Sequence, residues 1–287
     1  MSSRPLARIN NPVAFVSDPL ESHLERYRRA GFAAQSHIAD WEPGLRTGFV
    51  DLWPEYLELL TVADEQRYES GADDALRAAR SVQGIHAVEL YSADTAATGR
   101  HLRDLGFQLP GVREDRLATT ASSDGPDFYF LALPFLAGTV ATTMTSTYRD
   151  TPMRRMVKVS ENGVFALAGM TVVVDDPPAA AAAWDVVITP SVHSLKFLTP
   201  DQWRQVCPTD AGRGGVGCLH LLSENPDRTV KQMGAAGWTS PASLAGAAHL
   251  LSHPADHIRF TVTQASVEDW VGQRRRVLGE QLTVHRI

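Results

Sequence analysis

Cysteine is scarce in this sequence, and long apolar runs are missing from it. Cys207 and Cys218 are the two cysteines among 287 residues, so a disulfide framework is excluded and a reducing, cytoplasmic compartment is the expected location. No stretch approaches the ~18 consecutive apolar residues that a membrane-spanning helix needs, and the N-terminal segment lacks the apolar run of a secretory signal. We therefore expect neither a membrane partner nor export.

An excess of positive charge is also missing. The chain carries 27 Lys and Arg residues against 33 Asp and Glu residues, which leaves a formal net charge of −6. Without a positive field, the chain is not expected to bind nucleic acid through its phosphates. The motifs of a phosphate-cradling loop, a hydrolase nucleophile elbow, a helical zinc site and a paired-cysteine zinc ribbon are absent too.

A cassette of strand, helix, glycine and aromatic residue recurs along the chain. The apolar residues 12–16 predict a strand, and Ser17 or Asp18 can cap the helix that follows. That helix ends at Gly31, before Phe32. The cassette returns at residues 84–107 and 217–238, and in a shortened form at residues 170–187. The pattern predicts four related modules.

The repeat defines two equivalent positions in each module. Counting back 21 residues from the closing aromatics Phe32 and Phe107 gives Asn11 and His86 as strand starts. The strands that close three of the modules also resemble one another, at residues 56–62, 194–200 and 257–263. Aligned by eye, these strands place three charged residues at one position, namely Glu58, Lys196 and Arg259.

These patterns predict an α+β fold of repeated βαβββ modules. We place a domain boundary near residue 160, which gives an N-terminal domain of two modules (1–160) and a C-terminal domain (161–287). The C-terminal domain holds the degenerate third module, the fourth module and a terminal helix. In that helix we expect Trp270 to pack inward and the arginines 274–276 to stay exposed, because Arg is seldom buried.

Three passages carry a resemblance to a known superfamily. They are AFVSDPLESHLERYRRAGF, PEYLELLTV and SENGVFALAGMTVVVDDP, and they resemble the vicinal oxygen chelate superfamily, more narrowly its glyoxalase-like domain proteins. The resemblance spans nearly the whole chain. It implies that the modules pair into two incomplete barrels, and that a divalent metal sits inside a barrel on residues of the first and last strands.

Carried over residue by residue, the resemblance assigns Asn11 and His86 to the strand-start positions and Glu58 to the closing-strand carboxylate. The chain departs from the pattern at Asn11, where a metal enzyme of the family usually presents His or Gln. It departs again in the second module, where three threonines stand in place of another carboxylate (Thr142, Thr143 and Thr145).

Two roles for Glu58 and His86 are consistent with the sequence. They are two of about three ligands of an Fe(II), Mn(II), Zn(II) or Ni(II) ion, with Asn11 as a weak third ligand. Alternatively no metal is bound, and Glu58 and His86 form an acid–base pair across a small-molecule cavity.

Further contacts to a ligand are expected at the mouth of the first barrel, from residues on or between its second and third strands. Lys196 and Arg259 either attract an anionic ligand to the second barrel or are solvated cations on a strand face. The candidates at the mouth are His37, Trp41, Arg46 and Asp51.

The leading functional hypothesis is an enzyme with lyase, isomerase or dioxygenase-like chemistry on a small, oxygen-bearing organic molecule. The alternative is a non-catalytic protein that binds or sequesters a small molecule without a metal. A third hypothesis is an interaction-only protein that uses the degenerate barrels as a dimer surface, so a homodimer is one of the expected assemblies.

Overall fold

The computed structural model describes most of the chain. The described residues are 7–17, 19–37, 44–52, 54–82, 84–115, 128–139, 141–147, 156–188, 193–210, 214–240 and 249–286.

The N-terminal half contains two successive modules of a strand, a helix and further strands. The first module consists of β1 (Ala7–Phe15), α1 (Leu20–Arg29), β2 (Ala34–His37), β3 (Leu45–Leu52) and β4 (Glu55–Val62). Two short helices follow it, α2 (Glu65–Gly71) and α3 (Asp74–Arg80). The second module consists of β5 (Gly84–Ser92), α4 (Thr95–Asp104), β6 (Arg113–Asp115), β7 (Phe128–Ala132) and β8 (Ala141–Thr147).

The C-terminal half repeats this arrangement with fewer strands among the described residues. The third module follows β9 (Met156–Val159) and consists of β10 (Val164–Val173), α5 (Pro177–Asp185) and β11 (Ser194–Leu198), with α6 (Pro200–Val206) after it. The fourth module consists of β12 (Gly215–Ser223), α7 (Pro226–Ala235), β13 (His249–Ser252) and β14 (Arg259–Gln264). The chain then continues through α8 (Val267–Leu278) and β15 (Thr283–Arg286).

Each pair of modules shares one sheet. The first sheet has the order β2-β3-β4-β1-β5-β8-β7-β6, and the second has the order β11-β10-β12-β14-β13. In every module the first strand pairs in parallel with the last, as in β1 with β4 and β10 with β11. Antiparallel pairing of β1 with β5 and of β10 with β12 joins the modules. This topology confirms the α+β fold and the four repeated modules.

Local sequence explains where the helices start and end. Side chains of Asp94, Asp176 and Asn225 accept backbone hydrogen bonds at the starts of α4, α5 and α7. Gly31 and Gly106 adopt positive φ angles just after α1 and α4, as a glycine at a helix end can do without strain.

The prediction that Ser17 caps α1 is wrong. The N-cap of α1 is Pro19, and no described side chain makes a capping hydrogen bond there. The Ser17 hydroxyl contacts the ring of His23 instead, with 3.1 Å between Oγ and Nε2. Asp18, the other candidate cap, lies outside the described residues.

Helix α1 packs between the first sheet and the fourth module. The ring of Tyr27 lies 5.1 Å from that of Trp238 and 6.4 Å from that of Phe260, measured between centroids. The Asn162 amide donates a hydrogen bond of 2.8 Å to the carbonyl of Ala30. Both halves of the chain therefore contribute to one main core, and the division near residue 160 stays a prediction.

The expected exposure of Arg274 is wrong. This side chain of α8 is 1% exposed and lies 2.5 Å from Oε1 of Glu55, at the start of β4. Arg8 contacts the same oxygen at 3.0 Å, and Glu280 binds the Nε atom of Arg274 at 2.6 Å. Burial raises the pKa of Glu55 while Arg274 and Arg8 act against that rise. Arginine is buried here because two carboxylates surround it.

In the part of the chain that the structure describes, no helix combines the length and apolarity needed to cross a bilayer.

We expect Arg274→Ala to destabilise the protein by about 3–5 kcal/mol, because it leaves buried Glu55 with one cation fewer. The free energy of unfolding from denaturant titration measures this. Arg275→Ala, on the exposed face of the same helix, is the matched control and should change stability by less than about 0.5 kcal/mol. Equal losses in both variants would contradict the importance of the ion pair.

Candidate functional site

Polar side chains gather on the face of the first sheet that is turned away from α1. Leu57 and Leu59 belong to the main core with the α1 residues, and a Cβ atom on Gly48 would lie 2.9 Å from Leu24 of α1. Because side chains alternate along a strand, Glu58 of β4 points to the opposite face. We call this the inner face and define it by Asn11, Val13 and Phe15 of β1, Glu58 and Leu60 of β4, and His86 of β5.

A hydrogen-bonded cluster occupies the centre of the inner face. The Asn11 amide Nδ2 donates to Oε2 of Glu58 at 2.7 Å. The Asn10 amide donates to Oδ1 of Asn11 at 2.8 Å and to Oε1 of Glu89 at 3.0 Å. Glu58 is 4% exposed, and Asn11 is fully buried. The cluster therefore holds one buried carboxylate in a fixed orientation through an amide.

Irregular strand pairing shapes this cluster. The register of β1 against β5 shifts between Ile9 and Asn11, which sets Asn10 and Asn11 together in one cluster. A second shift, opposite Ala87 and Ile85, leaves His86 in a bulge. Bulges re-aim side chains and are common next to functional sites.

His86 lies on the same face as Glu58. Its ring stacks on Phe15, with 5.0 Å between centroids and 27° between planes, and the residue is 3% exposed. Burial lowers the pKa of His86 to about 4, so the imidazole is neutral at neutral pH. Among the residues that the structure describes, the Nδ1 atom of His86 has no hydrogen-bond partner. This Nδ1 atom is itself shielded from solvent.

Two features limit how a ligand can approach. Helices α2 and α3 cover the inner face near Phe15, where Tyr68 packs edge-on at 6.4 Å and Ala79 joins the same cluster. A cleft of about 700 Å³ opens beside His86, and it is lined by the loop at Phe135 and by the end of β10. Its volume is that of a small-molecule site. His86 is among the described residues that line it, and Glu58 is not.

The comparison with known families is decisive for the superfamily. The sequence profile of the glyoxalase-like domain matches residues 13–188, which is more than half of the chain. The chain belongs to the glyoxalase-like domain family. That family is part of the vicinal oxygen chelate superfamily, as the resemblance of the three passages implied. A search of curated proteins finds no match to this glyoxalase-like chain.

Solved structures share the fold of the glyoxalase-like chain at low sequence identity. A mutant of 4-hydroxymandelate synthase from Streptomyces coelicolor has a TM-score of 0.64 and 11% identity, over 91% of this chain and 93% of that one. A hypothetical protein from Staphylococcus aureus has a TM-score of 0.57 and 9% identity, over 91% and 100%. Catechol 2,3-dioxygenase has a TM-score of 0.52 and 10% identity, over 90% and 89%. At such identities the likeness shows the fold alone.

The other predicted ligand contacts are spread over the molecule. Asp51 is buried and forms an ion pair of 3.1 Å with Lys158. Arg46 is exposed. It lies two residues before Gly48 on β3, so both face α1, and Arg46 points away from the inner face. His37 ends β2, but its side chain lies outside the described residues, as does the whole of Trp41.

The two predicted cations lie in the second sheet. Lys196 is exposed on β11, and the guanidinium of Arg259 lies 3.0 Å from the Asp210 carboxylate. Because Arg259 has an anionic neighbour, its charge is partly compensated. The structure thus brings Asn11 and Glu58 into contact with each other and His86 onto their face, and it places these two cations elsewhere.

The donor set of the inner face does not fit a resident divalent ion. Within the described ranges no three His, Cys, Asp or Glu side chains converge. Asn11 turns its amide nitrogen, which is not a metal ligand, toward Glu58. In the second module Thr143 lies beside Glu89 in the strand register, and Thr142 bonds the Thr139 hydroxyl. The side chain of Thr145 is outside the described residues.

Sequence reasoning missed Asn10 and Glu89. Alternation along β1 would place Asn10 on the opposite face from Asn11, and only the register shift brings both amides together. Glu89 gave a usable signal, because it is a carboxylate between the apolar residues Val88 and Leu90 of one predicted strand.

We expect the stability of the protein to fall as pH decreases from about 6.5 to about 4, in part through His86. The unfolded histidine binds a proton in this window while the folded one does not, because its pKa is lowered from 6.5 to about 4. His86→Phe keeps an aromatic ring but removes the titration. Relative to that variant, the wild type should lose about 3 kcal/mol between pH 7 and pH 4. Parallel stability curves in denaturant titrations would contradict a neutral, buried His86.

We expect the melting temperature of the wild type to be the same with EDTA and with added Zn²⁺ or Ni²⁺. Asn11→His should gain a metal-dependent increase, because an imidazole at position 11 joins the carboxylates of Glu58 and Glu89 and completes three ligands. Thermal melting with and without the metals measures both. A wild type that loses stability in EDTA would overturn the donor-set argument.

Proposed function

We propose that the protein is an enzyme that transfers a proton on a small, oxygen-bearing organic molecule, with Glu58 as the base and His86 as its partner. The observation that carries this proposal is the Asn11–Glu58 hydrogen bond on the same buried face as His86. It is the metal-free form of the function that the sequence predicts. A carboxylate and an imidazole are the groups most often used for general acid–base catalysis.

Glu58 is suited to the role of base by its surroundings. Its carboxylate is nearly excluded from water, and Asn11 fixes its orientation by donating to one oxygen. A positioned base loses little entropy when it reacts, which is a large part of enzymatic rate enhancement. Asn11 is therefore assigned as a positioning residue.

His86 is suited to contact a substrate oxygen. It is neutral, it lines the cleft, and its Nδ1 atom has no partner among the described residues. The other polar groups of the cleft include Thr139 and the carboxylates of Asp175 and Asp176. Because these carboxylates repel anions, the cleft favours neutral ligands that carry hydroxyl or carbonyl groups.

Isotope exchange tests the reaction. We expect the protein to catalyse deuterium incorporation from D2O into at least one member of a panel of neutral 2-hydroxyketones and 2-hydroxyaldehydes, followed by NMR. Glu58→Gln should lower that exchange rate by about 100-fold or more while keeping the ligand-induced rise in melting temperature. Exposed Glu65→Gln is the control and should keep both readouts. Unchanged exchange in Glu58→Gln would refute the assignment of the base.

A second candidate is a non-catalytic protein that sequesters a small molecule. The observation in its favour is the apolar lining of the cleft, which includes Ile85, Phe135, Val173 and Val174. The same panel separates the two functions, since sequestration raises the melting temperature without isotope exchange in the wild type. A cytoplasmic location, a homodimer and the absence of a nucleic-acid partner remain predictions.

A further inference from the structure

Three side chains outside the inner face form a continuous hydrogen-bonded line. The hydroxyl of Ser17 lies 3.1 Å from Nε2 of His23, and Nδ1 of His23 bonds the Oδ1 atom of Asp256. Ser17 is exposed, whereas His23 and Asp256 are each 2% exposed. A surface hydroxyl is thus backed by a buried imidazole and a buried carboxylate.

Three separate elements hold this line in place. Ser17 follows the end of β1, His23 lies on the buried face of α1, and Asp256 lies in the turn before β14. The backbone of that turn is fixed by close packing: His257 has a φ of 53°, and a Cβ atom on Gly84 would lie 2.7 Å from the His257 carbonyl oxygen. The arrangement therefore does not depend on one flexible loop.

The hydrogen bonds assign the roles of the two imidazole nitrogens. Because the Asp256 carboxylate can only accept, Nδ1 of His23 carries the proton in that bond. Nη1 of Arg26 lies 3.2 Å from the same nitrogen and donates to the Asp256 carboxylate at 2.5 Å. The lone pair of Nε2 then faces the Ser17 hydroxyl and can accept its proton. Serine hydrolases on unrelated folds use the same order of hydroxyl, imidazole and carboxylate, and they are recognised by geometry rather than by sequence position.

Charged and titratable neighbours set the strength of the carboxylate. Burial acts to raise the pKa of Asp256, but the hydrogen bond and charge of His23 and the charge of Arg26 bring it below its usual value. Arg26 binds the same Oδ1 atom at 2.5 Å, and Tyr27 and His253 also face this group. Asp256 is thus ionised. Because Arg26 also binds this carboxylate, we expect the Ser17 hydroxyl to react more slowly than it would if Asp256 contacted His23 alone.

The start of α1 adds a favourable field beside Ser17. The first N–H groups of a helix have no partner within the helix and form its positive end. Among the described residues no side chain caps this end of α1. Negative charge that develops on an acyl oxygen bound to Ser17 would be stabilised there.

We propose that Ser17 is the nucleophile of a second, acyl-transfer site, with His23 as general base and Asp256 as the residue that orients it. The Ser17 oxygen attacks the carbonyl carbon of a carboxylic ester, and its proton passes to Nε2 of His23. His23 returns that proton to the leaving alcohol as the ester bond breaks, which leaves an acyl-Ser17. Water then gives its proton to His23 and releases the carboxylic acid, and the proton returns to Ser17.

Covalent labelling with a fluorophosphonate tests the proposal on the intact protein. Ser17 is expected to displace fluoride, so intact mass should show one adduct per chain, and peptide mapping should place it on Ser17. Ser17→Ala should abolish the adduct. Substitution of Ser22, an exposed serine of α1, by alanine (Ser22→Ala) should leave it unchanged. Hydrolysis of p-nitrophenyl acetate should show a burst of one p-nitrophenolate per chain that disappears in Ser17→Ala.

The rate of labelling separates a catalytic role of Ser17, His23 and Asp256 from a purely structural one. Asp256→Asn should slow labelling at least tenfold while Ser17 is still present, because the imidazole loses its orientation. Melting curves identify any variant that fails to fold, and Ser17→Ala keeps the test decisive because its side chain is exposed. No adduct on the folded wild type, or an adduct that survives Ser17→Ala, would overturn the proposal.

Discussion

The antiparallel pairing of β1 with β5 is the constraint on which the candidate site depends. It joins two modules into one sheet of eight strands, and it places the first strand of each module beside that of the other. Its two register shifts are not defects, because they bring a second amide, that of Asn10, to Asn11 and Glu89 and set His86 in a bulge against Phe15. A fully regular ladder would give a stable sheet without this polar centre.

Buried charge is managed differently on the inner face and at the start of β4. Glu55 is surrounded by Arg8 and Arg274, so its negative charge is met by full positive charges. Glu58 is held by the neutral amide of Asn11. Compensation by two cations favours a permanently fixed ion, and this arrangement stabilises the fold. The contact of Glu58 with Asn11 instead fixes the orientation of a carboxylate on the inner face.

The sequence predicted the modules because their signals are local. A glycine followed by an aromatic residue marks the ends of α1, α4 and α7. The strand-start and closing-strand positions single out Asn11 and Glu58, whose side chains are hydrogen-bonded. Contacts between distant residues gave no such signal. Arg274 looked solvated because Glu55 lies 219 positions away in the chain, and the contact of His23 with Asp256 depends on packing of the fourth module against α1. Asn10 was hidden by a register shift that no residue pattern encodes.

The ion pair between Glu55 and Arg274 of α8 also affects the order in which the two parts of the chain complete their folding during synthesis. Glu55 and the first two modules leave the ribosome well before Arg274, so until α8 has emerged the start of β4 holds a carboxylate that lacks one of its two cations. The N-terminal sheet can assemble early, but its interior becomes electrically balanced only after the C-terminal helix docks.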